Sequence, residues 1–328
     1  MIVVTGGSGF LGGALVRALA ARGDRVRSVQ RSDCPDLRAL GVDVVRADLS
    51  DSDAAARALE GADAIVHVAA KAGIWGPRSE FVSANVRATE HVLKACLLHG
   101  VPRLVYTSTP SVVHAGGDIC GLDESAPVAT HFACAYPETK AIAEAMVLAA
   151  NSHRLATVAL RPHLIWGPGD PQLTARVIAR ARSGRLRLVG GGDKAIDATY
   201  IDNAVEAHLA ALEHLARGAA CAGKAYFIAN GEPMPQRDLI NGILGAAGLP
   251  ECRRSISPAL AHLAGAIFEL VWSVLRRAGE PPLTRFVAEQ LATAHYFDLS
   301  AARRDLGFEP RISTAQGLER LRQSLTRT

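Results

Sequence analysis

The sequence predicts an α/β protein with a doubly wound parallel sheet of about seven strands and a smaller, mostly helical lobe. The first observation behind this prediction is that short apolar runs alternate with segments of helical periodicity up to residue 230. The second is a glycine-rich turn directly after the first apolar run. The third is the predominance of helical segments beyond residue 230. Strands joined through helices lie parallel, because each crossover returns the chain to the same end of the sheet.

Each predicted strand is a short apolar run bounded by glycine, proline or polar residues. The first run, MIVVT, stops at two glycines, and the helix after it ends at Gly23, a residue typical of helix C-termini. The seven predicted strands are residues 1–5, 25–30, 42–49, 62–70, 102–109, 156–162 and 224–230. The predicted helices between them are chiefly residues 10–23, 80–99, 136–152 and 202–216.

The alternation loosens after the sixth strand, where glycine-rich loops interrupt it. This change predicts a second, discontinuous lobe over the carboxyl ends of the strands, where open α/β sheets bind ligands. We assign the larger domain, which contains the sheet, to residues 1–165 and 197–229, the smaller lobe to residues 166–196 and 230–296, and a C-terminal helical tail to residues 297–328.

Composition and charge exclude several classes of function. Apolar residues make up 49% of the 328 residues, and the net charge of +4 is spread without a Lys/Arg run, so nucleic-acid binding is not expected. The six cysteines show no metal-binding spacing, so we expect free thiols, a reducing cytoplasm and no metal. The N-terminal segment does not have the pattern of a signal peptide. No stretch reaches about 18 uninterrupted apolar residues, so we expect membrane contact to be peripheral at most.

The segment VTGGSGFLGG combines a strand end, a glycine loop and a helix start, which is the context of a dinucleotide site. Gly6, Gly9 and Gly12 fit the pattern G-x-x-G-x-x-G. Glycine lets the backbone turn tightly and approach a pyrophosphate, which the helix N-terminus attracts. We therefore predict a Rossmann-type sheet whose cofactor contacts include these glycines together with Phe10 and Leu11.

The end of the second strand favours NADP(H) over NAD(H). NAD enzymes usually carry an acid here, which bonds the ribose 2′-hydroxyl. This chain has the neutral Gln30 followed by Arg31, and a guanidinium can bond a 2′-phosphate through two N–H groups. Asp48 and Leu49, after the third strand, are predicted to flank the adenine.

Chemically useful side chains follow in a fixed order along the chain. Ser108 and Thr109 end the fifth strand, beside the predicted cofactor. Tyr136 and Lys140 lie one helical turn apart at the start of the next helix. A glycine loop, a strand-end hydroxyl and Tyr-x-x-x-Lys together resemble the extended short-chain dehydrogenase/reductase family, over the whole chain. Within that family, AAKAGIWG, YTSTPSVVH and LRPHLIWGPGD resemble the 3β-hydroxysteroid dehydrogenase-like branch.

The resemblance implies roles for these residues. Tyr136 would give its phenolic proton to a substrate carbonyl oxygen as hydride arrives from the nicotinamide. Lys140 would lower the pKa of this tyrosine from about 10 and would bond the nicotinamide ribose. Thr109 would hold the carbonyl oxygen, although the family more often has serine there, so Ser108 and Ser111 remain alternatives. The resemblance also implies that Pro162 lies near the nicotinamide.

Within the branch, the chain most resembles bacterial reductases of long-chain olefin synthesis. That similarity implies NADPH-dependent reduction of a 2-alkyl-3-oxoalkanoate, a hydrophobic β-keto acid with two long chains, to the 2-alkyl-3-hydroxyalkanoate. A sterol oxidoreductase, an NAD-dependent nucleotide-sugar epimerase and a redox-sensing binding module stay open as alternatives. We expect a cytoplasmic homodimer, and assembly with other olefin-pathway enzymes is left open.

The segment 258–277 has an apolar stripe at helical spacing, formed by Leu260, Leu263, Ile267, Val271 and Val274. Such a stripe fits a core-facing helix, a wall of an acyl-chain channel or an interfacial membrane helix. We expect a channel wall, which can also belong to the core. A bilayer span is disfavoured because His262 and Glu269 interrupt the segment.

Overall fold

The computed structural model describes residues 1–326. The strands are β1 (Ile2–Thr5), β2 (Val26–Gln30), β3 (Asp43–Arg46), β4 (Ala64–His67), β5 (Arg103–Thr107), β6 (Ile119–Leu122), β7 (Ala156–Pro162), β8 (Ile165–Trp166), β9 (Leu188–Val189), β10 (Ala195–Ile196), β11 (Thr199–Tyr200), β12 (Lys224–Ile228), β13 (Met234–Pro235), β14 (Ser255–Ile256) and β15 (His295–Phe297).

The helices surround these strands in chain order. They are α1 (Phe10–Ala21), α2 (Pro35–Arg38), α3 (Ser52–Leu59), α4 (Arg78–Phe81), α5 (Ala88–His99), α6 (Ala135–Ala149), α7 (Leu173–Arg182), α8 (Ile201–His214), α9 (Gln236–Ala246), α10 (Pro258–Val274), α11 (Arg285–Ala292), α12 (Ser300–Leu306) and α13 (Thr314–Thr326). A π-helical segment, Val82–Arg87, joins α4 to α5, and short 3-10 turns cover Pro110–Val112 and Gly190–Gly192.

The central sheet has seven strands in the order β12-β7-β5-β4-β1-β2-β3, and every pairing is parallel. The predicted fold class is confirmed, and each of the seven predicted strands lies in this sheet. The chain starts at β1, builds β2 and β3 on one side, and then crosses to β4 on the other side. The carboxyl ends of β1 and β4 therefore flank the point where the winding reverses, which is where such sheets bind ligands.

The two faces of the sheet are covered by separate apolar layers. One layer joins α1 and α8 to the more distant α7 and α9, and it includes Leu15, Leu19 and Ile243. The other layer joins α3, α5 and α6, and it includes Leu59 and Val92. Because α7 and α9 share a core with the sheet, the elements assigned to the smaller, substrate-binding lobe are anchored on the same framework as the nucleotide site. The domain boundaries themselves remain predictions, and the last two residues of the predicted tail lie outside the described residues.

A second sheet, in the order β13-β10-β15-β6, was not predicted. Its strands have two to four residues, too few to show an alternating pattern. In this sheet Ile119 pairs with His295, and Ile196 pairs with the same residue from the other side. These pairings tie the loop after β5 to the C-terminal part of the chain.

The position of α10 differs from our expectation. Only Ala261 and Gly265 of this helix are buried, whereas Leu260, Leu263 and Ile267 are more than half exposed. The predicted stripe is thus an open surface and not part of the core, because the helix packs on its neighbour through small residues. No helix among residues 1–326 is both long and apolar enough to cross a bilayer.

Candidate active site

The glycine loop closes the carboxyl end of β1 and begins α1. Gly6 has a φ of 76°, in the left-handed region that favours glycine. A Cβ atom on Gly12 would lie 2.2 Å from the Gly6 carbonyl oxygen, and one on Gly6 would lie 2.9 Å from the Ala69 backbone. At Gly9, by contrast, the Gly6 carbonyl oxygen at 3.2 Å is the only described atom that a Cβ would approach within 4 Å. The loop is closely packed on the protein side and open at Gly9, as a pyrophosphate cradle requires.

The first turn of α1 provides backbone N–H groups beside this opening. Its N-cap residue, Gly9, provides no side-chain cap, and the turn contains no acidic residue. Phe10 is half-buried and Leu11 is buried, and both pack on the apolar layer beneath the helix. The N–H groups of the turn therefore suit an anionic ligand, because they add to the positive end of the helix dipole.

Gln30, the last residue of β2, is buried and turns its side chain towards the glycine loop. Ser28 Oγ donates a hydrogen bond to Gln30 Oε1 at 2.6 Å, and a Cβ on Gly7 would lie 3.2 Å from the same oxygen. The Nε2 amide of Gln30 is buried and has no hydrogen-bond partner among the described residues. Buried donors are nearly always paired, so this amide fits a site where a ligand oxygen supplies the acceptor.

Two arginines meet where β2 and β3 end. Arg31 is exposed, and Arg46 Nε donates to its carbonyl oxygen at 3.4 Å. Hydrogen bonds from the Ser50 backbone and side chain lower the pKa of Asp48, and the charge of Arg31 adds to this effect. Sequence reasoning named Arg31 and missed Arg46. The available signal was an arginine at or just after the end of each of two neighbouring strands.

The predicted adenine residues lie in the turn after β3. Leu49 is buried in the layer beneath α3 and α5, and its carbonyl oxygen is 3.0 Å from His91 Nδ1. Its side chain is therefore a core group, and a contact between Leu49 and a cofactor would use the backbone. Asp48 is exposed and accepts from Ser50 Oγ at 2.8 Å.

Thr109 follows β5, and Tyr136 lies in the first turn of α6. Burial raises the pKa of Tyr136, and the neighbouring Thr109 hydroxyl opposes that rise. Thr109 Oγ1 donates to Ser111 Oγ at 3.3 Å. Ser108 Oγ is buried without a partner in the described part of the chain. Of the three candidate hydroxyl residues, Thr109 is thus the one that affects the pKa of Tyr136.

Lys140 is buried behind this pair. Its Nζ donates to the Thr107 carbonyl oxygen at 2.5 Å and lies 4.2 Å from the centre of the Tyr106 ring. Burial lowers the pKa of Lys140 to about 7, against the opposing charge of Glu144. In the protein alone, burial dominates at Tyr136 and raises its pKa, so the lowering of this pKa by Lys140 stays a prediction for the complex with the cofactor. A lysine with a pKa of about 7 also carries only about half a charge at neutral pH.

Asn85 connects the loop after β4 to α6, and sequence reasoning missed it. It is buried in the π-helical segment, a type of distortion that is frequent at functional sites. Its Oδ1 accepts from the Lys71 N–H at 2.7 Å, and its Nδ2 donates to Thr139 Oγ1 at 3.0 Å. Thr139 lies between the two candidate catalytic residues of α6. The available signal was a polar residue within the predicted helix 80–99.

The backbone is strained just beyond β7. Leu164 has a φ of 41°, which is unusual for a residue with a branched side chain, and it is 39% exposed. Pro162 is buried at the end of the strand, opposite Ile228. His163 is buried, its Nδ1 lies 2.8 Å from the Asp197 carbonyl oxygen, and burial lowers its pKa to about 4. His163 is therefore a neutral packed residue, whereas Leu164 presents apolar surface beside the carboxyl edge.

A sequence profile of the 3-beta hydroxysteroid dehydrogenase/isomerase family matches residues 3–256. The matched segment contains the glycine loop, Thr109, Tyr136 and Lys140. The chain belongs to this family. Membership confirms the resemblance drawn from the motifs and makes the protein an oxidoreductase that acts on CH–OH or C=O groups and uses a nicotinamide cofactor.

Two members of this family are similar to the chain over almost its whole length. It is 54% identical over 325 residues to the 2-alkyl-3-oxoalkanoate reductase of Stenotrophomonas maltophilia (strain K279a), covering 98% of both proteins. It is 36% identical over 329 residues to the 3-beta-hydroxysteroid dehydrogenase of Mycolicibacterium neoaurum, covering 97% of this chain and 89% of that protein. The first similarity supports a role in keto-group reduction.

The fold also extends to nucleotide-sugar enzymes. A crystal structure of a DesIV double mutant, a dTDP-glucose 4,6-dehydratase from Streptomyces venezuelae, superposes with a TM-score of 0.78 and 24% identity. The match covers 99% of this chain and 97% of that one. At this level of identity the similarity concerns the fold alone.

Proposed function

We propose that the protein catalyses the NADPH-dependent reduction of the keto group of a long-chain 2-alkyl-3-oxoalkanoate, giving the 2-alkyl-3-hydroxyalkanoate. The observation that carries the proposal is that Thr109 and Tyr136 lie together near the buried Lys140 at the carboxyl edge of the sheet. The 54% identity to a reductase of that name supports the substrate class. In this proposal the enzyme is cytoplasmic and serves olefin biosynthesis.

The residues around the glycine loop fit a dinucleotide, and each end of the cofactor has candidate partners. The proposed contacts are Gly6, Gly9, Phe10, Leu11 and Gly12 for the pyrophosphate, Arg31 for the 2′-phosphate, Asp48 and Leu49 for the adenine, and Tyr136, Lys140 and Pro162 for the nicotinamide end. The bound reduced nicotinamide supplies a hydride to the carbonyl carbon of the substrate.

Tyr136 and Thr109 would carry out the proton transfer to the substrate. Tyr136 would donate its phenolic proton to the carbonyl oxygen, while Thr109 donates a hydrogen bond to the same oxygen. The C=O π bond breaks, the carbon gains a hydride and the oxygen gains a proton, so the product is a secondary alcohol. The raised pKa of Tyr136 keeps the phenol protonated before the transfer. After the transfer, the single hydroxyl proton of Thr109 would turn from the substrate oxygen to the phenolate and stabilise it.

Lys140 would stabilise that phenolate and help to restore its proton. Because its pKa is about 7, the ammonium can hold or release a proton near neutral pH. Its anchor on the Thr107 carbonyl oxygen fixes the amine one turn from Tyr136. In this scheme Asn85 and Thr139 act as positioning residues, since they hold the loop after β4 against α6.

The corner where β2 and β3 end favours NADPH over NADH. Gln30 stands where NAD enzymes usually have an acid, so a 2′-phosphate would not be repelled there. The unpaired Nε2 amide of Gln30 can only donate, and phosphate oxygens only accept. Arg31 and Arg46 add two guanidinium groups at the same corner.

Apolar surface near the site supports a substrate with long alkyl chains. Trp75 and Trp272 line a cavity of about 410 Å³ between the loop after β4 and the end of α10, and Arg276 and Arg277 line it with them. Leu164 adds a partly exposed side chain beyond β7. Each buried methylene of an alkyl chain is worth about 0.8 kcal/mol.

We also infer a homodimer from the outer surfaces of α5 and α6. Leu97 and Leu98 on α5 are 57% and 69% exposed, and Ile142 on the adjacent α6 is 39% exposed. Apolar side chains on two packed helices would be covered by a second copy. Analytical ultracentrifugation of Leu97→Gln with Leu98→Gln should show a shift towards monomer.

Net cofactor turnover tests the proposed reaction. The protein is mixed with NADPH and a synthetic 2-alkyl-3-oxoalkanoate, the nicotinamide absorbance is followed, and the product is identified by mass spectrometry. We expect one molecule of NADPH to be oxidised for each molecule of 3-hydroxy product that forms. Oxidation of a 3β-hydroxysteroid without reduction of the β-keto acid would favour the sterol alternative. Interconversion of nucleotide sugars without net cofactor change would favour the epimerase.

A further inference from the structure

Three titratable side chains follow one another along one face of α6. Tyr136, Lys140 and Glu144 are spaced by four residues, so each lies one helical turn from the next. Glu144 is 2% exposed, and carboxylates are almost never buried to this degree without a partner. The proposed reaction uses Tyr136 and Lys140 and gives Glu144 no role. The place of Glu144 behind Lys140 therefore needs a physical explanation.

Arg161 of β7 is the partner of Glu144. Its Nε donates to Glu144 Oε2 at 3.0 Å, and its Nη2 donates to Glu144 Oε1 at 2.6 Å, which is the two-point geometry of a strong arginine–carboxylate pair. Another acid near Arg161, Glu124, accepts from the Phe227 N–H at 2.8 Å instead. Glu144 is thus held in one orientation by a charged group of the sheet.

Stability alone does not account for this ion pair. Taking two charges out of water is costly, and uncharged replacements of buried pairs are often neutral or stabilising. Arg161 Nη1 is also buried without a hydrogen-bond partner among residues 1–326, whereas buried donors are nearly always paired. The pair is better explained by its effect on the charge next to it.

Glu144 supplies a negative charge to the surroundings of Lys140. The other titratable groups that face the amine are Tyr136 on the same helix, Tyr106 on β5 and His67 on β4. Burial raises the pKa of both tyrosines and lowers that of His67 to about 3, so all three are neutral near neutral pH. Burial also lowers the pKa of Lys140, and the charge of Glu144 opposes that effect.

We propose that Glu144, fixed by Arg161, is a positioning residue that provides the counter-charge for the Lys140 ammonium behind the active site. Lys140 Nζ donates to the Thr107 carbonyl oxygen while Glu144 is bonded to Arg161, so the carboxylate acts on the amine through its charge. The catalytic consequence, unlike the charge state of Lys140 itself, rests on the proposed function.

Direct titration of Lys140 tests this role in the full chain without substrate or cofactor. The protein is prepared with isotopically labelled lysine, and the Cε signals are followed by NMR from about pH 5 to about pH 10. The Lys140 signal is the one that the Lys140→Met variant lacks among those of the five lysines: Lys71, Lys94, Lys140, Lys194 and Lys224.

We expect a Lys140 midpoint at about pH 7 in the wild type. In Glu144→Gln the midpoint should fall by about one pH unit or more, because loss of a nearby opposite charge disfavours the ammonium. The matched control is Glu138→Gln, which removes an acid of the same helix whose partner, Arg78, is exposed. This control should leave the midpoint unchanged.

A double variant covers the case in which Glu144→Gln does not fold, since that change leaves Arg161 buried without its partner. Glu144→Gln with Arg161→Met removes both charges together. The Lys140 midpoint should fall in this variant too, because Glu144 is the member of the pair whose charge raises the pKa of Lys140. Thermal unfolding of each variant checks that it remains folded.

The pH profile of turnover separates this role from a purely structural one. At about pH 7, kcat of Glu144→Gln should be about fivefold below wild type, because a midpoint one unit lower leaves about a tenth of Lys140 charged instead of about half. At about pH 5 the two enzymes should have nearly equal kcat. A pair that only stabilises the fold would lower kcat by the same factor at every pH.

An unchanged Lys140 midpoint in folded Glu144→Gln or in the double variant would overturn the role of Glu144. An equal fall of the midpoint in Glu138→Gln would overturn it as well. If the midpoint falls as expected and no β-keto acid is reduced, the proposed function fails while the effect of Glu144 on Lys140 stands.

Discussion

Helices α1 and α10 have similar apolar patterns and opposite environments. Each carries large apolar residues at helical spacing, over about two and a half turns in α1 and about four turns in α10. In α1, Leu15 and Leu19 are fully buried because the helix crosses between β1 and β2 and must pack on the sheet they form. In α10, Leu263 and Ile267 are exposed because no strand of the large sheet precedes or follows it closely. Periodicity identifies an apolar face, and the topology decides what covers it.

The largest expected effect comes from the candidate active site at the carboxyl edge of the sheet on which α1 packs. Tyr136→Phe should lower kcat by about 10²–10⁴-fold, the usual contribution of a general acid, while NADPH still binds. Steady-state kinetics and fluorescence titration with NADPH measure the two quantities. As a control, Tyr296→Phe changes a tyrosine outside the proposed site and should leave kcat close to wild type. A Tyr136→Phe enzyme within about threefold of wild-type kcat would remove Tyr136 from the mechanism.

A matched pair of truncations tests the contrast between the helices directly. Leu15→Ala should lower the free energy of unfolding by about 2–5 kcal/mol, because it leaves a cavity in a packed layer. Leu263→Ala should change it by less than about 0.5 kcal/mol, because that side chain is 57% exposed. Urea unfolding of both variants gives the two values. Equal losses would mean that α10 is covered in the free protein.

Most of the fold and part of the candidate site could be predicted from the sequence. The seven strands, the glycine loop and the placement of Tyr136 and Lys140 on one helix follow from patterns within about ten residues, which the chain displays directly. Arg46 and Asn85 were missed because their relevance depends on neighbours brought together by the sheet and by the π-helical segment. The small sheet was missed because its pairings, such as Ile119 with His295, join distant and very short strands.

A third prediction concerns cofactor choice. Arg31→Ala should weaken NADPH binding by about 1.5–3 kcal/mol, the cost of losing a charged hydrogen bond, and should change NADH binding little. Arg46→Ala should act in the same direction if both guanidiniums meet the 2′-phosphate. Dissociation constants for both cofactors are measured by titration, with Arg57→Ala as a control on a neighbouring helix. Equal weakening of NADPH and NADH would show that Arg31 does not contact the 2′-phosphate.

The smallest predicted effect is a pH dependence of stability. The pKa of Lys140 is lowered from 10.5 to about 7, so between these values the unfolded chain binds the proton and the folded protein does not. The contribution of Lys140 to the free energy of unfolding therefore rises with pH between these two values, by up to about 1.4 kcal/mol per pH unit. Wild type and Lys140→Met are compared by urea unfolding from about pH 7 to pH 8.5, and the wild type should gain stability relative to the variant. A constant difference would contradict the lowered pKa.

The most direct test of the proposed function is the dependence of kcat/KM on alkyl-chain length. A series of 2-alkyl-3-oxoalkanoates is reduced with NADPH under conditions in which all members are dispersed equally. We predict that kcat/KM rises steeply with chain length, by up to about fourfold for each buried methylene, until the chains fill the site. A flat profile together with turnover of a nucleotide sugar would contradict the proposal.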